Sequence, residues 1–325
     1  MTEPAAPVAR PAATAAAGAA RAITADVITV RDLRMSYGHY EAVRGIDLDV
    51  AHGEVFAFLG PNGAGKTSTV EILEGFRTRT GGEVRVLGED PATAGPGWRA
   101  RVGVVLQESA PEAWLTVREC LSMYAGYYPS PLPVGRALEL VGLTAKADGR
   151  CDRLSGGQLR RLDMALALIG DPELIFLDEP TTGFDPAARH TAWDVIADLR
   201  ELGKTVFLTT HYMDEAEALA DQIMIIAAGK IVAAGTPATI GGRATAATTI
   251  SFTLPDGVTT GDLPGLPVPA TARRGGTVEI LHDQPVPVLH TLTTWALQHG
   301  YPLTDLTAHR PTLEEIYLGL TEEHT

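Results

Sequence analysis

Val55-Phe56-Ala57-Phe58-Leu59-Gly60-Pro61-Asn62-Gly63-Ala64-Gly65-Lys66-Thr67 is the stretch on which the fold turns. Five apolar residues run without a break and stop at a glycine, the pattern of a short strand buried on both faces. The next eight residues fit G-x-x-x-x-G-K-[ST], and a helix-like stretch, Lys66 to Phe76, follows. Gly60, Gly63 and Gly65 let the backbone wrap closely around a polyphosphate with its N–H groups pointing inward. The helix behind them offers its positive end to the same anion. Lys66 would set a point charge on the β and γ phosphates, and the Thr67 hydroxyl could ligate Mg²⁺. Only four of the 26 basic residues are lysines, so a lysine at this place carries weight. A glycine-rich turn without a ligand would explain neither that lysine nor its flanking strand and helix.

Working outward, Ile175-Phe176-Leu177, Val206-Phe207-Leu208 and Ile223-Met224-Ile225-Ile226 repeat the buried-strand pattern. Helix-like stretches lie between them at Gly157 to Ile169, Ala187 to Leu202 and Tyr212 to Ala220. Buried strands alternating with amphipathic helices predict a mainly parallel α/β sheet. Upstream, Val27 to Leu33 and Ile46 to Val50 approach the period-2 pattern of half-exposed strands. Residues 108 to 155 hold helical patterns and no buried strand, which predicts a helical insertion. After about Thr236 the texture changes: Thr249 to Leu254 and Thr277 to Leu281 alternate as strands. Val286 to His299 reads as a helix, and Thr312-x-x-Glu315 as the capping box of a last one. Residues 241–325 are therefore expected to form a small α+β domain. Residues 1–25, almost all Ala, Pro, Thr and Gly, lack the apolar surface to fold and are expected to be a disordered tail. Glu3 and the scattered prolines interrupt the hydrophobic run that a signal peptide needs.

Composition bounds the function. The chain has 325 residues, 45% of them apolar, enough for a large core and two domains. Forty acidic against 26 basic residues leave a net charge of −14, which argues against binding nucleic acid through bulk positive charge. Two cysteines, Cys120 and Cys151, are too few for a disulfide scaffold and fit a reducing compartment. No apolar run approaches the ~20 residues of a membrane span.

Two further motifs carry chemistry. In Leu174-Ile175-Phe176-Leu177-Asp178-Glu179-Pro180 a buried strand ends in two adjacent carboxylates. Side chains alternate along a strand, so the two acids can have different roles. Asp178 would hold Mg²⁺, directly or through water, and Glu179 would polarise an attacking water. Leu154-Ser155-Gly156-Gly157-Gln158 opens a helix with a serine cap and two glycines, again an anion-accepting terminus. A second such terminus makes sense if one subunit lends it to nucleotide held by another.

With these motifs in this order, residues 27 to 237 resemble an ABC-type ATP-binding subunit. The resemblance implies a P-loop NTPase core with an ABC-type β subdomain, a helical subdomain at about 108–165 within an ATP-binding domain of 26–240, and a head-to-tail dimer. It assigns ATP contacts to Gly60, Pro61, Asn62, Gly63, Ala64, Gly65, Lys66, Thr67 and Ser68. Across the dimer it assigns Ser155, Gly156, Gly157 and Gln158 to the γ-phosphate of the opposing site. Tyr37, in Ser36-Tyr37-Gly38, matches the aromatic that stacks on adenine. Gln107 matches the glutamine that senses Mg²⁺ or water beside the transporter contact. Asp185, in Gly183-Phe184-Asp185-Pro186, matches the loop that crosses the interface, with Phe184 where leucine is usual. His211 matches the histidine on the γ-phosphate, and Glu179, His211 and Lys66 become the catalytic set. Leu115-Thr116-Val117-Arg118-Glu119, Arg160-Arg161-Leu162-Asp163 and Pro311 to Tyr317 resemble the daunorubicin and multidrug-resistance ATPases of the type-two exporter class.

The expectation is an ATPase that binds ATP and Mg²⁺ and drives export of drugs, lipids or other small amphiphiles. It would act through a separate membrane permease, peripheral at the cytoplasmic face of the membrane, and touch that permease through the helical insertion. An import ATPase shares the core, and only the subclass residues argue against it. A non-transport ABC protein is the third reading. Against it stand the single ATP module, the lack of sustained heptads and the acidic charge.

Overall fold

The computed structural model describes residues 26–105, 112–267, 269–273 and 276–322. Its centre is a six-stranded sheet ordered β5-β6-β7-β3-β8-β9. The strands are β3 Val55–Leu59, β5 Val102–Val105, β6 Leu174–Asp178, β7 Thr205–Thr209, β8 Gln222–Ala227 and β9 Lys230–Gly235. The first five pair in parallel and β9 closes the edge antiparallel to β8. All five residues of β3 and of β7 are buried, which is why both read as continuous apolar runs. Phe207 sits between Phe56 and Phe176, with ring centroids 5.3 and 5.4 Å away, and binds these central strands on one face.

A second, antiparallel sheet, β2-β1-β4, covers that face. It comprises β1 Asp26–Tyr37, β2 Tyr40–Ala51 and β4 Gly81–Val86. The helical insertion holds α3 Val117–Ala125, α4 Val134–Leu140 and α5 Gly156–Leu168, which share a core with the opposite face of β6 and β7. Four more helices complete this part: α1 Lys66–Leu73, α2 Pro96–Arg99, α6 Pro186–Glu201 and α7 Met213–Leu219.

Helix α1 stops three residues before Phe76, where the sequence pattern would carry it. Gly75 takes φ +79°, its N–H reaches Ile72 O and the Phe76 N–H reaches Glu71 O, a Schellman ending that only a left-handed residue allows. Helix and strand edges differ elsewhere by one to a few residues.

Downstream, β10 Thr248–Thr253, β11 Thr271–Ala272, β12 Thr277–His282 and β13 Thr304–His309 form an antiparallel sheet, β11-β12-β10-β13. Helix α8, Pro285–His299, buries Val288 and Leu292 against it. The last helix, α9 Leu313–Glu322, opens with the Thr312–Glu315 capping box, at 2.8 and 3.1 Å. It does not join this sheet. Leu313 is buried with Ala57, Ala216, Ile223 and Ile240, so α9 packs on the ATP-binding part near α7. Gly241 makes room for it, since a Cβ there would lie 2.4 Å from Ile316. Among the described residues no helix is long and apolar enough to cross a membrane.

Candidate functional site

The loop after β3 folds as its glycines require. A Cβ on Gly60 would meet Ile226 O at 2.2 Å, and one on Gly65, at φ +105°, would meet Ala42 O at 2.6 Å. The loop therefore lies flat against β2 and β8, and its turn is closed by Ala64 N–H on Pro61 O at 3.2 Å. It borders a cleft of about 760 Å³ lined by Asn62, Lys66, Thr67 and Ser68 on one side and Asp178, Glu179 and His211 on the other. Lys66 Nζ donates to Gly60 O at 2.5 Å and Pro61 O at 3.0 Å. Burial holds its ammonium below the usual lysine range, while Glu179 and Asp178 pull the other way.

The opposite wall is the end of β6. Asp178 Oδ1 accepts a short hydrogen bond from Thr209 Oγ1 on the neighbouring β7. Glu179, one residue on, takes φ +47°, a costly conformation for a residue with a side chain. Its N–H donates to Thr209 O at 3.1 Å. Its Oε2 accepts from Thr182 Oγ1 at 3.1 Å and lies 3.4 Å from His211 Nδ1. The two adjacent acids thus have separate partners. The His211 ring lies tilted against Tyr212 with centroids 4.1 Å apart, and the Arg189 guanidinium lies 4.0 Å from the Tyr212 ring.

Thr67 and Asp178 face the same cleft and supply the hard oxygen donors that a phosphate-bound divalent cation takes. Among the described residues no group of three or more His, Cys, Asp or Glu could hold a metal unaided. Tyr37 stands at the rim, 42% exposed, with its OH 3.0 Å from Ser68 Oγ and the Arg77 guanidinium 5.2 Å from its ring. Gln107 lies outside the described residues.

Ser155, Gly156, Gly157, Gln158 and Asp185 do not line this cleft. Ser155 caps α5 in a capping box with Gln158, at 3.1 and 3.4 Å, and its side is exposed to solvent. Asp185 caps α6 through Ala188 N–H at 2.9 Å, ahead of Pro186. The serine-capped start of α5 has the anion-accepting form while the start of α6 is closed by a carboxylate, and neither lines the cleft of its own chain.

The places of two residues, Tyr40 and Arg160, escaped sequence reasoning. Tyr40 pairs with Tyr37 across the β1–β2 turn and lines the same cleft; register alone could have revealed it. Arg160, on α5, is 8% exposed and donates to the carbonyls of Asp178 at 2.9 Å, Pro180 at 3.2 Å and Glu179 at 3.3 Å. It ties the helix that Ser155 begins to the turn that carries Glu179. Nothing local marks it, because its acceptors lie about twenty residues away.

The ABC transporter family profile matches residues 43–182. A second profile, ABC transporter domain-containing protein-like, C-terminal domain, matches residues 248–312. The Nod factor export ATP-binding protein I of Paraburkholderia xenovorans is 38% identical over 297 residues, covering 89% of this chain and 95% of its own. The protein of the same name from Rhizobium meliloti is 42% identical over 229 residues, 69% of this chain and 68% of its own. Among solved structures, an ATP-binding subunit of an ABC transporter superposes with TM-score 0.60 at 24% identity, covering 65% of this chain and 90% of its own.

Proposed function

Because the chain belongs to the ABC transporter family of ATP-binding subunits, whose activity is ATP hydrolysis in transport, we propose that it drives an exporter through a separate membrane permease. One observation carries the reading: Lys66, Thr67, Asp178, Glu179 and His211 share one cleft, while Ser155–Gln158 and Asp185 stand outside it. A site built in this way is completed by a second copy, or a close relative, set head to tail.

In that arrangement the phosphate loop, Gly60 to Ser68, binds the triphosphate through its backbone N–H groups and Lys66. Tyr37 packs on the adenine. Thr67 and Asp178 would hold Mg²⁺, which would offset charge on the phosphate oxygens, and Gln107 is proposed as the residue that senses it. Glu179 accepts the proton of the attacking water and His211 orients the γ-phosphate, while Ser155, Gly156, Gly157 and Gln158 of the opposing copy meet it from the far side. Closure is favoured by ATP as a bridge between copies, and hydrolysis removes the bridge.

The relatives' names favour export over import. They speak of Nod factor; for this chain the proposed cargo is a small amphiphile, whether drug, lipid or modified saccharide. The chain would sit at the cytoplasmic face of the membrane, held there by the permease.

The test is ATP-driven association. A Glu179→Gln chain should double in mass on adding ATP, as read by light scattering, and Ser155→Arg in the same background should keep it single. Full turnover by a lone molecule would overturn the shared site.

A further inference from the structure

Among the described residues, buried Glu74 Oε1, Arg189 Nε and Glu215 Oε2 find no hydrogen-bond partner. Glu74 stands apart, in the wall of an aromatic groove with Trp98, Tyr124 and Tyr128. The other two belong to the seam between α6 and α7, behind His211. Buried polar atoms are paired almost without exception, so each orphan asks for a reason. Glu215 is the extreme case, a fully buried acid on a helix of seven residues.

Its other oxygen is well used. Glu215 Oε1 accepts from Thr181 Oγ1 at 2.8 Å and from Trp193 Nε1, on α6, at 3.0 Å. Thr181 is itself fully buried and lies two residues past Glu179, while Glu215 lies four residues past His211. The next residue of the turn, Thr182, donates to the Glu179 carboxylate. The 3.4 Å approach of His211 to Glu179 therefore has a second contact behind it, 2.8 Å long, that joins the same two chain segments. One contact leaves the segments free to pivot and two fix their orientation. The His211 segment cannot tilt against the Glu179 turn without breaking a buried hydrogen bond, which strands both partners. The start of α7 has no side-chain cap to hold it otherwise, and Arg189 adds the exposed Asp214 at 3.3 Å.

A carboxyl is a costly way to fill this place. On stability grounds alone, apolar side chains at 181 and 215 would serve as well and leave no oxygen stranded. We propose that Glu215 is a positioning residue for hydrolysis, holding His211 and the Glu179 turn at a fixed separation so that the water-polarising carboxylate and the ring on the γ-phosphate stay aligned. The inference rests on the proposed roles of Glu179 and His211 and adds a group that does not itself line the cleft.

The test is steady-state ATPase kinetics of the full chain with the permease present, at temperatures well below the Tm of each variant. Glu215→Leu removes the acceptor at similar volume, and kcat should fall about 10–100-fold, as it does when reacting groups are slightly displaced. KM for ATP should stay within about twofold, because the phosphate loop is untouched. Glu215→Gln keeps an acceptor oxygen for Thr181 and Trp193 and should hold kcat within about threefold of wild type. Thr181→Val deletes the donor on the Glu179 side and should share most of the Glu215→Leu loss, and the double variant should fall no further than Glu215→Leu alone. Wild-type kcat in Thr181→Val overturns the proposal. So does a loss that Glu215→Gln shares in full, or a double variant in which the two losses multiply. Should Glu215→Leu fail to fold, Thr181→Val and Glu215→Gln still decide the matter. All these results leave the roles of Glu179 and His211 standing; normal turnover in Glu179→Gln would remove those roles, and this inference with them.

Discussion

Replacing Arg160 by Met tests whether the strained turn at Glu179 is held from α5. The guanidinium donates to three consecutive carbonyls, at 2.9, 3.3 and 3.2 Å for Asp178, Glu179 and Pro180, from a site 8% exposed. Met keeps most of the side-chain volume and removes every donor. Hydrogen bonds from a charged donor contribute about 1.5–3 kcal/mol each. The Glu179 carbonyl keeps a second donor in Thr182 N–H at 3.2 Å, so roughly two bonds are lost outright, at least about 3 kcal/mol, and buried Asp163 loses the cation 3.9 Å away. For a domain of this size that lowers Tm by at least about 6–12 °C. The catalytic effect is separate. Glu179 sits at φ +47°, which costs on the order of 1–3 kcal/mol and persists only while its surroundings hold it. Releasing part of that constraint moves the carboxylate out of line, and 1–2 kcal/mol of misalignment slows turnover about 5–30-fold. Lys66 and Thr67 are untouched, so KM for ATP should stay within twofold. The assay is steady-state ATPase kinetics beside a thermal melt, well below the variant's Tm. Arg160→Lys, which retains charge but fewer donors, should fall between the two. A destabilised Arg160→Met chain with wild-type kcat would refute the reasoning, because Arg160 would then be an ordinary core residue.

Other expectations follow from the same geometry. Glu179→Gln should bind ATP normally and hydrolyse it at least ~10²-fold more slowly, as measured by phosphate release with the permease present. Gly60→Ala should displace the loop, since its Cβ would lie 2.2 Å from a backbone oxygen; nucleotide affinity by calorimetry should drop at least tenfold, with roughly 1–3 kcal/mol lost in denaturant unfolding. Glu74 gives a pH signature. Its folded pKa, about 8, lies above its ordinary value of 4.5, so the folded chain binds the extra proton between those limits and stability falls as pH rises through them. Unfolding of wild type and Glu74→Gln should coincide near pH 4.5 and diverge by a few kcal/mol by pH 8, with the glutamine form the more stable. A constant gap across that range would contradict the burial of an ionisable carboxyl there.

The candidate site was legible in unequal parts. The loop geometry of Gly60 to Thr67 is written locally, because strand, glycines, lysine and helix are consecutive and each restricts the backbone or the charge of the next. Asp178 and Glu179 were legible as a pair at a strand end, but their separate partners, Thr209 and His211, come from β7 and the turn after it, and only sheet order places these beside β6. The place of Tyr40 in the cleft and the tie from Arg160 to the Glu179 turn went unread for the same reason. One depends on hairpin register and the other on a helix brought against a turn about twenty residues away.

At the scale of the chain, apolar periodicity alone determined an α/β sheet with buried parallel strands, since a strand covered on both faces has to be continuously apolar. It also separated out the later alternating strands, which have one wet face. It could not say that α9 returns to the ATP-binding part, because an amphipathic helix specifies an apolar stripe and not the surface that covers it. Nor could it say that Glu74 lies buried beside an aromatic groove, since one acid at a helix end reads as surface until α2, α3 and α5 close around it. Short-range order is carried by covalent neighbours and their conformational preferences, while the assembly of distant side chains into charge pairs, clefts and grooves exists only after the core has packed.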